Sequence, residues 1–211
     1  YTSIKSAAHA AYTGGSWTMT LPGTDGAANE FLQTNGSGVT SWATAGGGMQ
    51  STQVFTASGT WTKPAGITKV LVKIVGAGGG GGCGTGAGAG GYSEKIIDVS
   101  SISTSTVTIG AGGVGNNGQT PGGNVGGVSS WVDGTNTLSC GGGLAPTYVS
   151  TGYKGGLGGV ATGGDINIAG GDSDPHMDSS YIEQLGSTGG ASYFGGGGAG
   201  GASQSGLNEG S

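Results

Sequence analysis

The sequence predicts an all-β chain: a short N-terminal β module, then a glycine-rich, β-sandwich-like domain with layered segments of the polyglycine II type. Three observations predict it. Glycine supplies 55 of 211 residues while only 8 % are charged, against roughly 7 % and 25 % in ordinary domains. Short runs alternate polar with β-branched residues. Glycine clusters fall between those runs rather than replacing them, which argues against a disordered low-complexity chain.

In chain order, residues 1–48 form a stem or connector module. Trp17-Thr18-Met19-Thr20-Leu21 reads as a threonine-rich strand, and residues 31–42 read as a hairpin turning at Asn35-Gly36. Asn35-Gly36-Ser37 also fits a glycosylation acceptor, and the turn is the simpler account. Ala45-Gly46-Gly47-Gly48 is a small flexible joint. Residues 49–211 form the glycine-rich distal domain. Within it the run from Lys69 to Val75, Thr106-Val107-Thr108-Ile109 and Asp165-Ile166-Asn167-Ile168 each read as a half-buried strand. Trp17, Trp42, Trp61 and Trp131 sit among alternating Thr, Ser or Val positions and anchor strands.

Glycine clusters at 76–82, 110–113, 122–127, 141–143, 155–164 and 189–201 separate these elements, without the every-third-residue period of collagen. An extended three-residue helix has no internal hydrogen bonds, so neighbouring tracts bond to one another, and they pack closely only where side chains are absent. Ordering so much glycine is entropically costly, so strands must fix the ends of such a layer, or chains must associate.

Composition also excludes function classes. Hydrophobic residues make up 33 %, enough for one compact domain plus a smaller appendage. Six lysines, no arginine and a net charge of −5 leave little to neutralise a phosphate backbone or an anionic bilayer, so nucleic acid is not an expected partner. No apolar run approaches the ~20 residues of a membrane span, so no membrane insertion is expected. Cys83 and Cys140 form one bridge or remain two free thiols, and both readings stay open. A chain opening at Tyr1 reads as processed or as part of something longer.

Residues 21–38, opening Leu21-Pro22-Gly23-Thr24-Asp25-Gly26 and followed by Ser41-Trp42-Ala43, resemble the short module that recurs along bacteriophage tail fibres. The run Val54-Phe55-Thr56-Ala57-Ser58-Gly59-Thr60-Trp61-Thr62-Lys63-Pro64, with the strand at 69–75 and the glycine run after it, resembles the start of the glycine-rich domain at the distal ends of such fibres. Together the two cover residues 21 to about 91. The resemblance implies a virion protein, extracellular on release, usually a homotrimer joined to other virion tail proteins, with a tip that recognises a host surface protein or glycan. The alternative is a structural virion or cell-surface decoration fibre that reads no receptor.

The richest local chemistry lies at residues 172–183, where Asp172, Asp174, His176, Met177, Asp178, Tyr181 and Glu183 form the candidate receptor-binding loop. Asp172, Asp174 and Glu183 occupy the first, third and twelfth positions of a calcium loop, but His176 stands fifth and Met177 replaces the glycine required sixth, so no metal is assigned. Tyr148 and Tyr153 are secondary candidates, since aromatic rings stack on sugars or seat at protein interfaces. Tyr193-Phe194, adjoining Gly195, reads instead as a cover for the glycine layer. Gly86-x-Gly88-x-x-Gly91 fits a dinucleotide fingerprint, but such matches arise by chance at this glycine content and no helix-forming sequence follows. No Gly-Lys pair and no Gly-x-Ser-x-Gly elbow occurs, and His9 is remote from His176 in the chain. The expected protein is not an enzyme and uses no cofactor.

Overall fold

The computed structural model describes residues 3–5, 18–44, 48–49, 51–82, 84–116, 123–149, 152–174, 176–177 and 186–198. Its elements are all strands, in antiparallel sheets. The chain divides into two units, Tyr1–Gln53 and Val54–Ser211.

In the first unit, β1 (Ser3–Lys5) pairs with β2 (Thr18–Thr20), and β3 (Glu30–Thr34) pairs with β4 (Thr40–Thr44). The β3–β4 turn uses its asparagine: the Asn35 side-chain oxygen accepts from the Ser37 N–H at 2.8 Å and the Val39 N–H at 3.3 Å. Gly36 supplies the φ of +81° that the turn needs. Thr20 bridges Val39, and the Thr40 hydroxyl donates to the Thr20 carbonyl at 2.7 Å, which ties β2 to the hairpin. The Trp42 indole donates to Thr24 at 2.7 Å. Trp17 lies outside the described residues.

The second unit joins two sheets to a glycine lattice. The larger sheet runs in the order β13 (Ala161–Thr162), β10 (Thr137–Cys140), β9 (Ser129–Val132), β8 (Thr104–Thr108), β5 (Gly59–Thr62). The smaller runs β14 (Ile166–Ile168), β7 (Tyr92–Asp98), β6 (Lys69–Val75). One core lies between them. Trp61, Val107, Trp131 and Leu138 from the first sheet meet Val72 and Ile97 from the second, with Val99 and Ile102 closing the end. The two indoles pack at 5.1 Å, tilted by 50°. Each fully buried aliphatic here contributes about 1.5–3 kcal/mol. Alternation explains the pattern, since Ser105 and Val107 of β8 are buried while its threonines are exposed.

At the β9–β10 hairpin the Asp133 carboxylate accepts from the Trp131 indole at 3.0 Å and from the N–H groups of Thr135 and Asn136. Burial pushes its pKa up, and those bonds outweigh the burial and hold it below the usual value. Cys140 is a free, buried thiol that donates to the Ile74 carbonyl at 3.4 Å. Burial raises its pKa to about 11, which makes it unreactive at neutral pH. Cys83 lies outside the described residues.

Several of these strands run on into glycine tracts. β6 leads into residues 76–82, residues 84–91 lead into β7, β8 leads into 110–116, and β10 leads into 141–146. The tracts bond to each other in steps of three. Gly76 and Gly79 donate to Gly91 and Gly88, Ala77 and Gly80 to Gly127 and Asn124, while Gly113 and Asn116 donate to Gly78 and Gly81. Each interface therefore takes every third residue, the period of a polyglycine II helix. Most of these glycines have ordinary φ values and are required by space instead. At Gly79, Gly91, Gly126 and Gly143 an added Cβ would fall under 3.0 Å from a neighbouring tract's backbone. Larger side chains stand at the perimeter, where Val114, Val125, Leu144 and Leu157 are exposed.

One expectation needs correction. β14 is not half-buried: Ile166, Asn167 and Ile168 are all exposed. It is an edge strand, paired with β7 alone among the described strands, and the register puts Ile166 and Ile168 with Tyr92 on the face of the smaller sheet away from the core. On the same face Tyr92 is buried under Tyr193, whose ring stacks on it at 3.9 Å and 6°, with Phe194 edge-on at 5.5 Å. The Tyr92 hydroxyl donates to the Glu94 carboxylate, which lies 3.4 Å from the Lys73 ammonium. Burial first, then the bond to Glu94, raises the Tyr92 pKa far above its ordinary value.

Three outcomes follow from this packing. Gly79→Ala, which drives a Cβ to 2.7 Å from the Gly143 and Leu144 carbonyls, is expected to cost about 1–3 kcal/mol or more in chemical denaturation. Gly78→Ala, with nothing within 4 Å of its Cβ, should be neutral or stabilising by up to about 1 kcal/mol. Because the folded pKa of Tyr92 is raised, its contribution is complete below the unfolded value of about 10 and is lost as pH rises beyond it. Melting temperature should therefore fall on the alkaline side, and more steeply for the parent than for Tyr92→Phe.

Candidate functional site

The candidate residues are placed by the lattice. The 141–146 and 155–160 tracts run antiparallel, with Gly141 donating to Val160 and Leu144 to Leu157. They leave β10 and return to β13, so the chain between them lies at the end of the lattice away from the two-sheet core. That chain forms β11 (Thr147–Val149) and β12 (Gly152–Lys154), an antiparallel pair. The 169–174 tract, leaving β14, also runs antiparallel to 155–160, with Gly170 donating to Gly159 and Ser173 to Gly156. It delivers β15 (His176–Met177) to the same end, where β15 pairs with β12.

A three-stranded sheet in the order β11-β12-β15 results. Its register puts Tyr148 opposite Tyr153 and Tyr153 opposite His176, so three candidates occupy a single cross-strand row. Tyr148 is 64 % exposed. Met177 lies beside this row, opposite Gly152.

The two described carboxylates lie just before β15, and both are held. Asp172 Oδ1 accepts from the Gly158 N–H at 2.7 Å, and Asp174 Oδ2 accepts from the Thr188 hydroxyl at 2.6 Å. Between them Ser173 is buried, and its hydroxyl donates to the Gly86 carbonyl at 2.6 Å. Asp172 and Ser173 thus belong to the end of a lattice tract rather than to a free loop. Both aspartates remain exposed at the surface. Among the described residues no three His, Cys, Asp or Glu side chains gather as metal ligands. Asp178, Tyr181 and Glu183 lie outside the described residues.

A family described as a glycine-rich domain matches residues 51–211. The chain belongs to the glycine-rich domain family. No curated protein and no solved structure matches it. The matched span holds both sheets, the lattice and the β11-β12-β15 row, so every described candidate residue lies inside the glycine-rich domain.

One surface escaped sequence reasoning. Leu71, Ile96 and Ile166 are exposed on the outer face of the smaller sheet. The available signal was the period of two, because Leu71 shares its face with Lys69 and Lys73 rather than with Val72.

Ser173→Ala removes the anchoring hydroxyl and is expected to lower stability by about 1 kcal/mol. Tyr148→Ala, at a side chain 64 % exposed, should change it by less than about 0.5 kcal/mol. Urea denaturation of the two variants separates the anchor from the display surface.

Proposed function

We propose that the chain is the distal part of a bacteriophage tail fibre, a non-enzymatic protein that binds a host cell-surface protein or glycan during adsorption. The observation that carries this reading is the convergence of Tyr148, Tyr153 and His176 in one row at the lattice end, next to the exposed Asp172 and Asp174. Aromatic side chains offer large contact area at low entropic cost, and carboxylates accept hydrogen bonds from sugar hydroxyls or peptide amides. The resemblance of residues 21–43 and 54–66 to tail-fibre modules supports the setting. A virion location, a homotrimeric assembly and attachment to other tail proteins belong to the same proposal.

A second reading, a structural fibre that reads no receptor, draws on the exposed cross-strand pair Leu71 and Ile96, since exposed apolar patches mark assembly surfaces. The two readings predict different variants to fail. In a binding assay of fluorescently labelled protein on a panel of bacterial strains, the proposal expects a susceptible strain to be labelled. Tyr148→Ala combined with His176→Ala should then weaken labelling about 30-fold or more, as loss of an interface hot spot of about 2 kcal/mol implies. Equal labelling by a folded double variant, or no labelled strain, overturns the proposal.

A further inference from the structure

We infer that a groove in the side of the glycine lattice is a binding site for an extended, glycine-rich segment of a partner polypeptide. A three-residue helix sends its N–H groups out along three directions and its carbonyls along three others, so it has room for six neighbours. The 84–91 tract has five. It bonds to 76–82 through Gly79 and Gly88, to 141–146 through Gly88 and Leu144, and to 155–160 through Gly159 and Ala89. It bonds to 169–174 through Ala89 and Gly171, and to 186–192 through Gly190 and Ala87. The N–H groups of Gly88 and Gly91 point to one neighbour and that of Ala89 to another. The remaining set, Ala87 and Gly90, donates to no carbonyl among the described residues.

The sixth side opens on a groove of about 610 Å³, lined by residues of 76–82, 84–90, 187–192 and 196–198, among them Ala87 and Gly90. An independent observation marks it as a site. Thr85 lines this groove, is 3 % exposed, and carries the one buried side-chain polar atom among the described residues with no hydrogen-bond partner. Native structures rarely leave such a group unpaired, so its partner is expected from outside the chain.

The chemistry of the walls defines the occupant. The lining is made of Gly, Ala, Thr, Ser and Asn, with no charged side chain, which selects a neutral ligand. A peptide in the three-residue helix repeats its carbonyls at about 9 Å along one side, the spacing of Ala87 to Gly90 in a wall of the same helix. A backbone close enough to accept from the Ala87 and Gly90 N–H groups must be glycine on the side facing them, as the tracts of the lattice are towards each other. The chain's own residues 204–211 carry Gln204, Leu207, Asn208 and Glu209, too bulky and, in Glu209, too polar for such a slot. A second copy is disfavoured because each glycine tract described here already has its place in its own lattice.

The test uses the full chain, labelled with nitrogen-15, and a synthetic nonapeptide of three Gly-Gly-Ser repeats as probe. At millimolar peptide the amide signals of Thr85, Ala87 and Gly90 should shift. Thr85→Val, which removes a hydroxyl that has no partner among the described residues, should weaken binding about tenfold without lowering the melting temperature. Ala87→Leu, which fills the groove, should abolish the shifts. Absence of shifts, or shifts confined to other residues, overturns the inference. So does a solution mass above that of one 19.9 kDa chain that Ala87→Leu returns to monomer, because the occupant is then a second copy.

Discussion

The constraint on which the rest depends is that backbone must touch backbone. Gly76, Gly79, Gly88, Gly91, Gly126 and Gly143 exchange N–H···O bonds across tract boundaries at 2.8–3.0 Å, a separation between chains that leaves no room for a Cβ. The gain per bond is modest, about 0.5–1.5 kcal/mol, while each ordered glycine gives up more conformational freedom than any other residue. A lattice of free tracts would not hold. Here the tracts continue from strands whose ends are already fixed by the core of Trp61, Trp131, Leu138 and Ile97. Each strand fixes where and in which direction its tract sets out, so the tract orders against neighbours already placed, and its many bonds together offset the entropy of ordering it.

That division of labour also explains where side chains appear. Inside the lattice the buried side chains are small, such as Ala87, Ala89 and Ser173, so large aliphatic side chains collect in the two-sheet core and chemical variety at the lattice edge and far end. Tyr148 is exposed at that end, in register with Tyr153 and through it with His176, and Ser173 fastens the 169–174 tract through Gly86. A display surface held this way loses little freedom on binding, the general advantage of a preorganised site.

Sequence made the strands legible because alternation is a local signal. The run 69–75 and the Asn35-Gly36 turn stand where alternation and turn chemistry put them, as β6 and the β3–β4 hairpin. Lattice connectivity was not legible. Nothing in a glycine tract distinguishes the neighbour at 141–146 from the one at 155–160, because the side chains that normally encode pairing are absent. The Tyr148–Tyr153–His176 row escaped for the same reason: the three residues were candidates separately, and only the pairing of β11, β12 and β15 brings them into register. For β14, alternation reported the pleat correctly but could not report that no layer covers its outer face.

Tyr92 shows how the two halves of the domain are joined. It is the first strand residue after Gly91, so its ring stands where close-packed backbone gives way to side-chain packing. Tyr193, carried on the short turn in which Ser192 donates to Gly195 at 2.8 Å, stacks over Tyr92. The phenol hydroxyl beneath it then donates to Glu94 and holds that carboxylate below its usual pKa. Because the turn belongs to the 186–198 part of the lattice and Tyr92 to the sheet, the stack makes the order of one depend on the order of the other. Lattice and sandwich are therefore expected to melt together rather than as separate layers.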